Sequence, residues 1–251
     1  MQNRHSFEII ALTSADQQAH IERSEQLLAR TAPGSTPVLS WSQAETEALV
    51  LGFSQKETIL NPQAVAEEAI PVYHRRAGGT AVLVGPHLLG LDVVLPADHP
   101  LVLSDLVESY RWLGETWVRA LRMLGVETRA IPPDEAHAAR ALAKQEGLRE
   151  REAVLRRACY ASNSPYEVVA GTRKVVGLDM MRRRNGSLLQ AGVLLHWDCE
   201  KLARLLAHSP AEQELLLRTL PERAVGLDEL AGRTVTAQEV TQAFEASFFS
   251  S

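Results

Sequence analysis

A chain of 251 residues, 45% hydrophobic and 23% charged with a formal charge of −5, has the make-up of an ordinary globular protein able to bury a proper core. The mild acidity excludes a general attraction to nucleic acid or to anionic membrane surfaces. The N-terminal "MQNRHSFEIIALTSADQQAH" has neither the basic start nor the apolar core of a signal peptide, and no stretch reaches transmembrane length.

With that start and only two cysteines, Cys159 and Cys199, free thiols and a cytoplasmic location are expected. The histidines are scattered over positions 5, 20, 74, 87, 99, 137, 196 and 208, with no HxxH pair and no CxxC. Zinc sites need three or four nitrogen or sulfur ligands, usually announced by close spacing. No metal is expected.

In chain order, "DQQAHIERSEQLLARTA" has helical spacing and stops at Pro33-Gly34. "PVLSW" and "EALVLGFSQ" read as short strands around a polar turn, followed by a helical patch near "PQAVAEEA". "GGTAVLVGPHLLGLDVVLP" holds two apolar, β-leaning runs on either side of Gly85-Pro86 and predicts a hairpin. "LSDLVESYRWLGETWVRALRMLG" has apolar residues recurring at three and four, with Ser104 as N-cap, Gly125 as stop, and Trp112 and Trp117 in the core.

Residues 134–157 turn polar and rich in Ala, Arg and Glu, which reads as an exposed helix or crossing. Beyond them "YEVVAGTRKVV" places Gly171-Thr172 between two strand-like runs. "MMRRRNGSLLQAGVLL" contains Asn185-Gly186, a strong hairpin signal because both residues tolerate positive φ. "DCEKLARLLA", "PAEQELLLRTL" and "TAQEVTQAFEASFF" close the chain as helices. Strands grouped in the middle with helices before, between and after them indicate an α+β fold with a mixed or antiparallel sheet flanked by helices.

Two residues in "RRACYASNSPYEVVAGTRKVVG" carry chemistry. Cys159 reads either as a small buried hydrophobe or as a reactive thiol. Arg156 and Arg157 precede it, positive charge favours a thiolate, and the small polar residues after it offer backbone N–H groups to an oxyanion. Cys199, in the first turn of a helix with no second reactive group nearby, reads as structural. Lys174 is one of four lysines (56, 144, 174, 201) against a large excess of arginine. Strand alternation places it with Val176, Leu178 and Met180 on an apolar face, away from Arg173, Val175 and Asp179. There it is either a desolvated amine or one that snorkels to water.

"CYASNSPYEVVAGTRKVVG" followed by "LLQAGVLL" resembles the central block of the lipoate-protein ligase and octanoyltransferase family. "HRRAGGTAVLVGPHLLGLDVVLP" is similar to that family's upstream Arg-Arg-x-(Ser/Thr)-Gly-Gly-x-Ala-Val block, and "ALVLGFSQ" to the strand before it. The likeness runs roughly over residues 37–206. It implies a biotin/lipoate protein ligase-like catalytic domain over 1–251, with the acyltransferase core about 37–206 and a C-terminal helical segment 198–251.

The resemblance further implies that Cys159 accepts an acyl group and that Lys174 contacts the acyl carbonyl. Arg75, Gly78, Gly79, Thr80, Ala81 and Gly177 fall on the substrate-binding positions, the glycines leaving room for a linear acyl chain. The implied activity is transfer of an octanoyl or lipoyl group through a cysteine thioester, with no cofactor. The donor is octanoyl-acyl carrier protein or glycine cleavage H protein, and the acceptor a lysine of the lipoyl domains of 2-oxo acid dehydrogenase complexes. The alternatives are an ATP-dependent lipoate-protein ligase and a non-catalytic relative that binds acyl groups. The chain departs from the family pattern at His74, Ala77, Thr80, Val84, Asp179 and Ala191.

Overall fold

The structure is a computed structural model that describes residues 7–250. The first half runs β1 (Glu8–Ala15), α1 (Gln17–Arg30), β2 (Val38–Ala44), β3 (Ala48–Leu51), α2 (Pro62–Glu67), β4 (Val72–His74), β5 (Val82–Val84) and β6 (Leu88–Pro96). The middle runs α3 (Arg111–Met123), β7 (Arg129–Ala130), α4 (Pro133–Leu142), α5 (Arg149–Leu155), β8 (Val168–Ala170), β9 (Arg173–Arg182) and β10 (Gly186–Leu194). Four helices follow: α6 (Glu200–Leu206), α7 (Pro210–Arg223), α8 (Leu227–Ala231) and α9 (Ala237–Phe249).

Seven strands form the main sheet in the order β1-β2-β6-β10-β9-β8-β7. Its β1–β2 pair is parallel and its remaining pairs are antiparallel. A second sheet, β4-β3-β5, pairs β3 parallel to β4 and antiparallel to β5. This is the expected α+β class with a mixed sheet. No helix among the described residues is long and apolar enough to cross a membrane.

Strand alternation divides the main sheet into two unlike faces. Leu39, Trp41, Leu91, Val93, Leu189, Val193 and Val176 pack with Leu113, Trp117, Phe244 and Phe248 of α3 and α9 in the largest core cluster. Trp117 meets Trp41 edge-on at 6.0 Å and Phe244 at 4.4 Å between ring centres, so it is core as expected, while Trp112 is half-buried against Phe248. The opposite face lies under α1 and carries the cavity described below.

Several local expectations are corrected. Strand β1 was not foreseen. The two runs around Gly85-Pro86 do not pair as a hairpin: β5 joins β3 in the small sheet and β6 sits between β2 and β10. The reason is size, since nine-residue β6 is buried on both faces and suits a central strand, whereas three-residue β5 is too short to partner it. Ser104 is not the cap before α3. α3 has no side-chain cap and continues from a 3-10 turn, Glu108–Tyr110, ahead of which Asp105 Oδ1 accepts from the backbone N–H groups of Val107 and Glu108 at 2.7 and 3.1 Å. Gly125 does terminate the helix, at φ +80°.

The β9–β10 hairpin forms, but Asn185 and Gly186 do not take positive φ. Asn185 is used for its amide, which donates to the carbonyl oxygens of Leu28 and Thr31 at 2.8 and 2.7 Å and ties the hairpin tip to the end of α1. In β9 the register slips between Val168 and Val169 of β8, so that Val168 opposes Val176 and Val169 opposes Lys174. The extra residue is a β-bulge, and it reverses the alternation on either side of it. Lys174 therefore belongs with Gly177 and Asp179 on the cavity face, not with Val176, Leu178 and Met180, which face the α3 and α9 core.

Candidate active site

A cavity of about 660 Å³ lies between the α1 face of the main sheet, the small sheet and the 156–167 segment. Cys159, Lys174, Arg75, Gly79, Thr80 and Gly177 all line it. Gly78 and Ala81, also expected at the site, are not on its wall. Ala81 instead joins the two sequence blocks: its N–H donates to Arg157 O at 3.0 Å and its carbonyl oxygen accepts from Cys159 N at 2.9 Å.

Cys159 opens a 3-10 turn, Cys159–Ala161, and is half-buried. Of the two arginines expected to surround the thiol with positive charge, only Arg156 lines the cavity. Arg157 is occupied elsewhere, donating to both carboxylate oxygens of Glu212 at 2.6 and 2.9 Å and to Leu206 O at 2.7 Å. Cys199 is buried, and burial pushes its thiol up, in keeping with a structural role.

Lys174 is 1% exposed, so it does not snorkel to water. Nor is it a lone amine on an apolar face, because its Nζ lies 2.8 Å from Glu167 Oε2, itself in a residue 2% exposed. The same Nζ donates to Cys159 O at 3.0 Å and stands 5.5 Å from the centre of the Tyr160 ring. Glu167 also accepts from Ser164 N at 2.6 Å and Leu178 N at 3.2 Å. A buried charge pair persists where such additional hydrogen bonds satisfy it. Tyr166, just before it, takes φ +64°, a rare conformation for a bulky residue. Its hydroxyl donates to Glu108 Oε1 at 2.6 Å.

Tyr160 fills the space under the turn. Its hydroxyl donates to Gly192 O at 2.7 Å, and burial raises its pKa well above the usual phenol value. A Cβ on Gly177 would lie 3.5 Å from that ring and a Cβ on Gly192 2.8 Å from its oxygen. Glycine inside a strand marks such close approaches.

The loop over residues 75–80 is held by Arg75. Its Nε donates to Gly78 O at 3.0 Å and to Asp179 Oδ2 at 3.3 Å, and its Nη2 to Thr80 O at 3.1 Å. Burial pushes the Asp179 carboxyl up, against the opposing pull of Arg75. Gly79 has φ +80°, and a Cβ there would come within 2.5 Å of Arg75 Nη2. That glycine therefore makes room for the arginine. The nearest atom to a Cβ on Gly78 is Asp179 Oδ1 at 3.9 Å, so Gly78 is not crowded at all. Gly52, unremarked in the sequence, is the tight position: a Cβ there would strike Gly79 O at 2.1 Å.

Sequence reading missed Glu167, Tyr160, Gln190 and the helix α1 residues His20 and Ser24, all on the cavity wall. The signal for the first two was their place within the Cys159 and Lys174 segment. The signal for the cavity floor was three glycines, Gly90, Gly177 and Gly192, inside otherwise apolar strands. Asp179, a departure from the family pattern, is the partner of Arg75. Among the described residues no group of three or more His, Cys, Asp or Glu is gathered as a metal would need.

The catalytic-domain model of lipoyl protein ligase A/B matches residues 16–249. Octanoyltransferase LipM of Kyrpidia tusciae is 32% identical over 214 residues, covering 84% of this chain and 74% of that protein. The same enzyme of Lysinibacillus sphaericus is 29% identical with the same coverage. Among solved structures, the bipartite lipoate protein ligase of Thermoplasma acidophilum, described with its E2 lipoyl domain, superposes with a TM-score of 0.74 at 19% identity, covering 99% of this chain and 82% of that one. A lipoate-protein ligase A bound with ATP gives 0.71 at 20%, covering 99% and 84%. At those identities the two structures establish the fold.

Proposed function

The chain belongs to the lipoyl protein ligase A/B catalytic-domain family, and from that premise we propose how it carries out octanoyl transfer in lipoate biosynthesis. The sulfur of Cys159 attacks the carbonyl carbon of an octanoyl thioester. A new S–C bond forms, the donor's S–C bond breaks, and the donor leaves as a thiol with the proton. A lysine amine of the acceptor then attacks the Cys159 thioester, forming the C–N bond of an amide and regenerating the thiol. The first exchange is nearly isoenergetic and the second is downhill, so a cysteine relay suits the task.

The observation that carries this reading is the fixed contact of Lys174 with the Cys159 turn at the cavity wall. An ammonium has three N–H donors. Two are given to Cys159 O and Glu167 Oε2, and the third is available to the acyl oxygen as charge develops on it. Arg75 shapes the loop above the acyl chain rather than touching the reacting carbon.

In this reading the donor is octanoyl-acyl carrier protein or glycine cleavage H protein. The acceptor is a lysine of the lipoyl domains of 2-oxo acid dehydrogenase complexes, in line with the lipoyl-domain partner of the Thermoplasma ligase. No cofactor is consumed, residues 1–251 act as one catalytic domain, and the reaction runs in the cytoplasm, where two free thiols are stable.

The test offers a lipoyl domain two sources of octanoyl: a thioester without ATP, and free octanoate with ATP. The acceptor is expected to gain an octanoyl group from the thioester alone. Transfer from the free acid only in the presence of ATP contradicts the relay and identifies a ligase.

A further inference from the structure

Two kinds of surface meet at Cys159. Inward, the cysteine packs against an apolar cluster that includes Val50, Val84, Leu88 and Tyr160, with Val82 beside it. A saturated octanoyl chain suits that side, since apolar contact is all it needs. Outward, the cavity wall is polar. Ser162 and Ser164 come from the segment after the cysteine, Arg156 from the segment before it, and His137 and Arg140 from α4. His137 and Arg140 are three residues apart and share a helix face. His137, Arg140 and Arg156 are exposed, which places them at the mouth of the cavity rather than on its floor.

The positive charge at this mouth is uncompensated. Of the four arginines on the wall, Arg75 pairs with Asp179 at 3.3 Å and Arg76 with Glu25 at 2.9 Å. Glu167 is taken by Lys174, and Asp92 by Ser24 and Gln190. No carboxylate of the wall is left for Arg140 or Arg156, and neither guanidinium has a hydrogen bond or ion pair to another described residue. The hydroxyls of Ser162 and Ser164 are likewise free of partners among the described residues. Elsewhere the guanidinium groups of Arg129, Arg157, Arg204 and Arg223 are each bound to a glutamate. In a chain of formal charge −5, two unpaired guanidinium groups at one cavity mouth suit an anion. Their planar forks match the oxygens of a phosphate.

A thioester donor whose acyl chain lies inward trails its carrier arm outward over this lip. A phosphopantetheine arm has two amides and ends in a phosphate, so it offers partners to the serines and then to the arginines. A carrier that bears octanoyl on a lysine side chain offers only methylenes there.

We propose that Arg140 and Arg156 form a phosphate subsite at the cavity mouth that recognises the phosphopantetheine arm of the donor, with Ser162 and Ser164 meeting its amides. The inference rests on the Cys159 relay proposed above. It concerns which carrier delivers the octanoyl group, not whether the relay exists. A nucleotide phosphate has the same chemistry, so the experiment includes one.

Acylation of Cys159 by octanoyl-pantetheine and by octanoyl-4′-phosphopantetheine, which differ by the phosphate alone, is followed by intact mass against time. The readout is the ratio of the two kcat/KM values within one protein, so any effect of Arg156 on the thiol itself cancels. In the wild type the ratio is expected to favour the phosphorylated donor by a factor on the order of ten, carried by KM and falling as salt is raised. In Arg140→Gln combined with Arg156→Gln it is expected to approach one. The corresponding pair of lysine substitutions keeps the charge without the fork and should restore part of it. Both arginines are exposed, so these changes leave the core untouched. A wild-type ratio near one overturns the inference while leaving the relay standing, and so does a ratio that the glutamine pair leaves unchanged. Octanoyl-adenylate losing reactivity in the glutamine pair, with the thioester ratio near one throughout, assigns the arginines to a nucleotide and also overturns it. An adduct from neither thioester overturns both the inference and the relay.

Discussion

Lys174 Nζ donates to the carbonyl oxygen of Cys159 at 3.0 Å while it is paired at 2.8 Å with Glu167. The lysine thus holds the cysteine's main chain. Through Glu167, which accepts from Ser164 N and Leu178 N, it also binds the turn after the cysteine to the strand that carries the lysine.

Removing one partner of a buried pair strands the other. Lys174→Met leaves the Glu167 carboxylate uncompensated and is expected to cost about 3–5 kcal/mol in urea unfolding. Lys174→Met combined with Glu167→Gln is expected to recover most of that stability while acyl transfer stays lost. If the double variant is as unstable as the single one, the pair is not the reason Lys174 matters to the fold.

Gly192→Ala drives a methyl to 2.8 Å from the Tyr160 hydroxyl and is expected to destabilise by about 1–3 kcal/mol and to slow acylation of Cys159, whose turn Tyr160 supports. Tyr160→Phe in the same chain removes the clashing oxygen. A double-mutant cycle should therefore show positive coupling between the two sites. Additive effects would mean that the ring does not sit over Gly192.

Gly79→Ala must adopt φ +80° and meets Arg75 Nη2. Backbone strain of about 1–2 kcal/mol is expected, together with a raised KM as the 75–80 loop shifts, whereas Gly78→Ala should be mild. Equal effects at the two glycines would mean that the positive φ of Gly79 and its closeness to Arg75 do not shape the loop.

Stability should depend on pH through α1 and its partners. Asp92 faces Ser24, His20 and Arg23 of α1 and Gln190 of β10, and burial raises its pKa. A carboxyl raised in the folded state binds more protons folded than unfolded, so stability falls as pH rises from the ordinary carboxylate value of about 4 towards the raised one. His20, lowered by burial, acts on the other side: it stays neutral when folded, so stability falls as pH drops below about 6.5. Asp92→Asn removes the titrating group while its amide oxygen keeps an acceptor for Gln190. It is expected to flatten the fall in stability as pH rises above about 4. An unchanged slope of melting temperature against pH in the variant would mean that Asp92 is not the group responsible.

What was legible in the sequence was local or carried by family likeness. Cys159, Lys174 and Arg75 lie within motifs, and they do meet at one cavity. What escaped depended on pairing that a linear string does not display. The bulge opposite Val168–Val169 turns Lys174 to the other face of its strand, and nothing in "GTRKVVG" announces an extra residue. Glu167 reads as one polar position in a strand until Lys174 comes to face it. The glycine floor of the cavity is written in β6 and in the distant β9–β10 hairpin, and appears only when their registers align. The 82–96 hairpin failed for the same reason, since adjacency in sequence favoured a pairing that β2 and β10 win in space.

The central claim is that Cys159 carries the acyl group. Intact-mass spectrometry of the protein mixed with octanoyl-acyl carrier protein, followed by peptide mapping, tests it directly. The account predicts one added octanoyl group on the Cys159 peptide, cleaved by hydroxylamine and absent from Cys159→Ala, which should also fail to octanoylate a lipoyl domain. A Cys159→Ala variant that transfers octanoyl at the wild-type rate would contradict it.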